Sequence, residues 1–320
     1  MKSFYNNKTV IWAIACASII GFQFCGENES PANDQPVVPD SDSTATLIKR
    51  DTSFLPGIPQ GLVVNEALQE ASGIAVSRSN PQLIWAHNDS GDLPRIFLLG
   101  SGGDDFGEFR LVNAKNRDWE DIAIGPGPEE GKNYLYIGDI GDNISQYEEK
   151  IIYRVEEPDV SSTDKKFDGE IKSVEAIKLK FPDGIRDAET LMIDPANKDL
   201  YIISKRESKV GVYRLKYPYA TDLVNVLEKV GEMALTGVVG GDISSDGNEV
   251  LIKTYQTIYY WKKTGDEDIG TLLLSQPVSL PYFREPQGEA IAWKLDGSGY
   301  YTLSEEPRGI DASIYYYMRL

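Results

Sequence analysis

Glu120-Asp121-Ile122-Ala123-Ile124 is one of five short stretches built on a common plan, a carboxylate followed within a few residues by an apolar strand start. The others are Glu70-Ala71-Ser72-Gly73-Ile74-Ala75, Glu189-Thr190-Leu191-Met192-Ile193, Asp242-Ile243-Ser244-Ser245 and Glu289-Ala290-Ile291-Ala292-Trp293. Their carboxylates follow one another at intervals of 50, 69, 53 and 47 residues. A strand-rich period of this length marks a radial repeat, a β-propeller. One repeat position then maps to one place in space. The five carboxylates, each at the entry of an innermost strand, are expected to crowd around a single axis.

Each repeat continues in the same way. A second strand ends in polar residues and a third ends in aromatics, as in Leu83-Ile84-Trp85-Ala86 and Arg95-Ile96-Phe97-Leu98-Leu99 of the first repeat. These runs are β-branched and aromatic, with turn signals such as Asn80-Pro81 and Asp246-Gly247-Asn248 between them. Helical periodicity is nearly absent; Asp222 to Val230 reads as a short helix or as a fourth strand. The last repeat ends at Leu320 after three strands, which would leave an open sheet edge. The stretch Leu62-Val63-Val64 is expected to supply the fourth strand and close the ring. The expected fold is therefore all-β, a propeller of five blades. Six is the alternative, because the 69-residue interval has room for an extra hairpin or a degenerate blade.

The 320 residues are 41% hydrophobic and 26% charged, a globular composition. The net charge is −18, and setting aside Lys2 and Lys8 leaves 30 basic against 50 acidic residues. That balance argues against nucleic acid and anionic membrane surfaces as partners, and suits cations or solubility outside the cell. Both cysteines, Cys16 and Cys25, lie in the N-terminal apolar stretch, so the folded part has no disulfide, thiolate metal site or cysteine nucleophile. Residues 1–24 read as an export signal, with Lys2 and Lys8 ahead of an apolar run from Val10 to Ile20. Cys25 then opens a polar run, as the lipidated residue of a bacterial lipoprotein does, although Phe24 precedes it where Gly, Ala or Ser is usual. An uncleaved anchor is the rival reading. Residues 25–50 form a flexible tether and 51–320 the propeller. The expected place is the cell envelope, periplasmic or at the surface. The chain is expected to be a monomer that touches the membrane only through its anchor.

In a propeller blade, the loop before the first strand and the loop after the second open on one face, where binding concentrates. Glu70, Glu120, Glu189, Asp242 and Glu289 are candidate metal ligands, all hard oxygen donors. Carboxylates gathered at one axis repel, so a cation or basic partners must compensate. Calcium, which accepts six to eight oxygens in loose geometry, is the expected cofactor. The competing reading is internal pairing, since Arg117-Asp118-Trp119-Glu120 and Arg186-Asp187-Ala188-Glu189 share a spacing and Arg284 precedes Glu289. Asp139 and Asp142 are candidates to orient or deprotonate a water. Asn88, Asp89, Lys205, Arg206, Lys253, Arg117 and Arg186 are candidates to meet a substrate, with ordinary surface pairing as the alternative for the basic ones. The single histidine, His87, reads as a channel-lining or turn residue. There is no Gly-x-Ser-x-Gly elbow and no phosphate-binding Gly-rich loop.

Residues 70–91, from Glu70-Ala71-Ser72-Gly73 to His87-Asn88-Asp89-Ser90-Gly91, resemble the first blade of uncharacterised secreted propellers among bacterial lipoproteins. Asp118-Trp119-Glu120-Asp121-Ile122-Ala123 and Tyr136-Ile137-Gly138-Asp139-Ile140-Gly141-Asp142-Asn143 carry the same resemblance. More distantly the layout is similar to β-propeller phytases and gluconolactonase-type propellers, which implies acidic channel residues that hold calcium. The expected function is a calcium-dependent hydrolase of a phosphoester or lactone. A non-catalytic surface module for a glycan, peptide or protein is the alternative.

Overall fold

Ala71–Val76, Trp119–Pro126, Ala188–Ile193, Val238–Ile243 and Gly288–Trp293 each form the inner edge of a separate sheet. These five sheets are the blades of the propeller, seen in a computed structural model that describes residues 48–162 and 166–320. The leader 1–24, Cys25 and nearly all of the tether 25–50 lie outside the described residues. Among the described residues no helix is long and apolar enough to cross a membrane.

The inner strands are buried along most of their length because each lies between two neighbouring blades. Crowding at the axis explains their small residues. A Cβ at Gly240 would stand 2.7 Å from the Glu289 carbonyl oxygen, and one at Gly73 would stand 2.8 Å from the Ile122 nitrogen. The second and third strands carry the bulk instead. Trp85, Tyr136, Tyr201 and Tyr301 sit opposite Ala75, Ala123, Met192 and Ala292. The core is accordingly divided into five hydrophobic clusters, one at each junction between successive blades. Each fully buried large aliphatic side chain in such a cluster contributes about 1.5–3 kcal/mol.

The ring closes as expected between the two ends of the propeller, with the strand placed slightly earlier. Ile58–Leu62 pairs antiparallel with Ser313–Met318 and completes the fifth blade, while Val63 still docks through its amide on the Ala312 carbonyl. Pro59 is tolerated because this is an edge strand, and the register breaks between Pro59 and Gly61. Phe54 reinforces the closure, packing its ring against Tyr260, Trp293 and Tyr300.

Among the described residues the long second interval contains no sixth blade. Its extra residues return to the first blade, where Phe167–Ile171 pairs parallel with the outer strand Asp105–Leu111. Parallel pairing needs a crossover connection, and the surplus length supplies it. The stretch Asp222 to Val230 is strand rather than helix: Asn225–Val226 joins the second blade and Glu228–Met233 the third. A five-residue α-helix lies later, at Ile269–Leu273, capped by the Asp268 side chain on the Thr271 amide.

Candidate cation site at the channel mouth

Every inner strand breaks register with its neighbour near its start. The breaks fall between Ala71 and Gly73, Trp119 and Asp121, Ala188 and Thr190, Val238 and Gly240, and Gly288 and Ala290. A bulge of this kind leaves one residue unpaired and re-aims its side chain. The unpaired residues are Ser72, Glu120, Glu189, Val239 and Glu289, so three of the five equivalent positions carry glutamate. Glu120, Glu189 and Glu289 are only 3%, 3% and 4% exposed.

The equivalence of the five segments therefore shifts in two blades. Glu70 lies two residues ahead of the bulge, on the exposed rim, where its backbone brackets the loop through Asn88 and Asp89. Asp242 lies three residues beyond the bulge, further along the strand and half-buried, where it accepts the Trp293 amide at 2.8 Å. Burial pushes the Asp242 carboxyl up to about 6, against the opposing pull of Arg78.

Around the bulged glutamates two triplets of carboxylates converge. One oxygen each from Asp89, Asp118 and Glu120 lies within 4.8 Å of the others, and the same holds for Glu120, Asp187 and Glu189. Asp118 and Asp187 occupy the same place, two residues before their bulged glutamates. Sequence reasoning missed both, having read Arg117-Asp118-Trp119-Glu120 and Arg186-Asp187-Ala188-Glu189 for their arginines. The signal was the shared Asp-x-Glu inside them. Gly141 leaves the space these groups use: a Cβ there would run into Glu120 Oε1 and come within 2.6 Å of Asp118 Oδ2.

Compensation is partial. Glu189 Oε1 pairs with the Lys205 ammonium, while its buried Oε2 has no hydrogen-bond partner among the described residues. Lys205 also reaches the Tyr255 hydroxyl at 3.1 Å, and Tyr255 donates to Glu289 Oε1 at 2.5 Å. Asp187 pairs with Arg206 and accepts the Asp142 amide at 2.7 Å. Burial, then the neighbouring carboxylates led by Glu189, raise the Glu120 carboxyl well above its ordinary value. Burial does the same to Glu189, with Lys205 opposing. Asp89 is pushed up to about 7, chiefly by burial, with Asp118, Glu289 and Glu70 adding to it against the Ser90 amide. Glu305, which the sequence reading did not single out as a site residue, rises to about 8 through burial and then the charges of Glu289, Asp89 and Glu70.

Other candidates have different work. Asp142 accepts the amides of Gln146 and Tyr147 and pairs with buried Lys150 at 2.9 Å. Burial opposes its ionisation, but these donors outweigh it and hold the pKa below the usual value. Asp139 accepts the Asp118 amide at 3.1 Å and lies 3.4 Å from Arg117. Both aspartates thus brace the loops that carry the triplets, and a water-activating role finds no free oxygen on Asp142. Asn88 is taken up by Glu70, Ala67 and Asp92. Lys253 is fully buried, bonded to the Gly288 carbonyl and 3.8 Å from Glu285, and burial lowers it to about 8. Arg117 stacks on Tyr147 at 4.2 Å, and Arg186 pairs with Asp183 and Glu207. His87 lies buried edge-on against Trp119, its Nδ1 2.9 Å from the Asn88 carbonyl oxygen, and burial lowers it to about 4. The mouth therefore gathers Glu120, Glu189, Glu289, Asp89 and Lys205, with Arg206 at its edge, and leaves the other candidates in the scaffold.

No family model matches this chain, and no curated protein matches it. Among solved structures it is similar to the Dos1 propeller, at 13% identity over 77% of this chain and 68% of that one, with a TM-score of 0.37. It is also similar to a luciferin-regenerating enzyme, at 13% identity over 82% of this chain and 96% of that one, with a TM-score of 0.41.

Proposed function

We propose that the channel mouth binds calcium between Glu120, Asp187 and Glu189, and that this centre serves hydrolysis of a phosphoester or lactone. The observation that carries the cation is the pair Glu120 and Glu189, buried side by side with one oxygen of Glu189 unpartnered. Burying an uncompensated carboxylate is costly. The donors are all carboxylate oxygens without histidine or cysteine, which suits a hard ion. A bound calcium would polarise a phosphoryl or carbonyl oxygen. In the metal-free mouth Asp89 and Glu305 are held up at about 7 and about 8, so a cation bound there would release protons. The leader-like start and Cys25 support a place in the cell envelope.

The non-catalytic module is favoured by a different observation. Arg117, Arg186, Arg206 and Lys205 are all already paired with acidic side chains, so none of these four offers a free charge to an anionic substrate. Thermal melts with excess calcium and with EDTA decide the first half: calcium at a hundredfold its dissociation constant should add about 2.7 kcal/mol. An unchanged melt sinks the cation reading. Given a shift, calcium-dependent turnover of p-nitrophenyl phosphate or a simple lactone supports the hydrolase, and its absence across both classes supports the module.

A further inference from the structure

We propose that the mouth holds two cations, with Glu120 as the carboxylate shared between them. The inner pocket is Glu120, Asp187 and Glu189; the outer is Asp89, Asp118 and Glu120. This inference rests on the calcium reading above and extends it.

Glu120 is the one residue common to both triplets. Its side chain is buried, and among the described residues no hydrogen bond or ion pair reaches its carboxylate; only its backbone carbonyl is engaged, by the Ser72 hydroxyl. A carboxylate with two free oxygens facing two donor sets has the chemistry of a bridge. Two-metal centres use such shared ligands at a separation of roughly 3.5–4 Å. Gly141 keeps the space beside Glu120 and Asp118 open, since any side chain there would fill it.

Charge distinguishes the two pockets. Asp187 and Glu189 each have a basic partner, Arg206 and Lys205. Among the described residues no lysine or arginine forms a salt bridge with Asp89, Asp118 or Glu120, and Asp118 feels Lys150 and Arg117 only from further off. Further carboxylates act on Asp89, from Glu289 and Glu70. One ion in the inner pocket would leave the outer pocket with only the distant charges of Lys150 and Arg117. A second ion supplies it.

The test is stoichiometry. The full-length protein is dialysed to equilibrium against calcium and bound metal is counted per chain by elemental analysis. Two per chain are expected. D89N/D118N should hold one with its affinity kept within a few-fold, and E120Q should weaken both by at least tenfold. Circular dichroism in EDTA checks the fold, and if D89N/D118N does not fold, single D89N, at a partly exposed position, should show the same loss of one ion. One calcium per chain in the wild type, unchanged in D89N/D118N, overturns the bridge and leaves the single-ion site standing. No bound calcium at all removes both readings together.

Discussion

Glu120 and Asp121 are adjacent in the chain, are both buried, and meet opposite fates. Asp121 accepts the Leu191 amide of the next blade at 3.0 Å and its neighbour's amide, Ile122, at 2.9 Å. Asp242 does the same two junctions further on, through the Trp293 amide. These two carboxylates staple inner strands together by accepting backbone amides of the next blade's inner strand. Glu120 and Glu189 sit at the bulge itself, where the chain turns toward the mouth, and most of what surrounds them is more carboxylate. Burial alone does not mark a functional acid. What marks it is burial without a partner.

Three experiments put that contrast at risk. The largest effect should come from D121A, which strands the Leu191 and Ile122 amides and ought to cost about 3 kcal/mol by urea unfolding. E120Q, measured in EDTA, should leave stability equal to wild type or higher, because it breaks no hydrogen bond or ion pair of the side chain and removes the cost of burying an acid among carboxylates. A cost from E120Q matching that of D121A would erase the distinction between staple and site.

The next effect is a pH slope. Asp89 and Glu305 have folded-state values, about 7 and about 8, above those of an unfolded chain, and Glu120 and Glu189 shift the same way. The native state therefore holds protons that the unfolded state has released. Their contribution is fully present below about pH 4 and is lost as pH rises to 8. In EDTA, stability should fall across that window, by no more than about 1.4 kcal/mol per pH unit for each group. Excess calcium should flatten the fall. A metal-free protein whose stability rises over the same range would mean the mouth is compensated from within.

The smallest effect concerns Lys205, the internal cation on Glu189. K205M removes a competitor for that carboxylate and should tighten calcium binding several-fold in a calorimetric titration. Weaker binding would instead assign the lysine a positioning role.

The blades, their strand order and the closure between the two ends were legible in the sequence, because alternating apolar runs and turn residues are local signals. So was the gathering of acids at one end of a channel, since the repeat itself implies it. The membership of the site was not legible. Glu70 and Asp242 align with Glu120 when counted from the apolar run, yet counted from the bulge they fall on either side of it. A strand register is set by cross-strand hydrogen bonds, and one extra residue re-aims every side chain after it. Asp118 and Asp187 carry no signal beyond a short Asp-x-Glu, and Asp89 comes from a different strand end of another blade. Local pattern is enough to specify a five-fold acidic propeller. Which carboxylates meet is settled in the folded chain, because residues 89, 118, 120, 187 and 189 converge through three separate blades whose spacing around the axis no local pattern encodes.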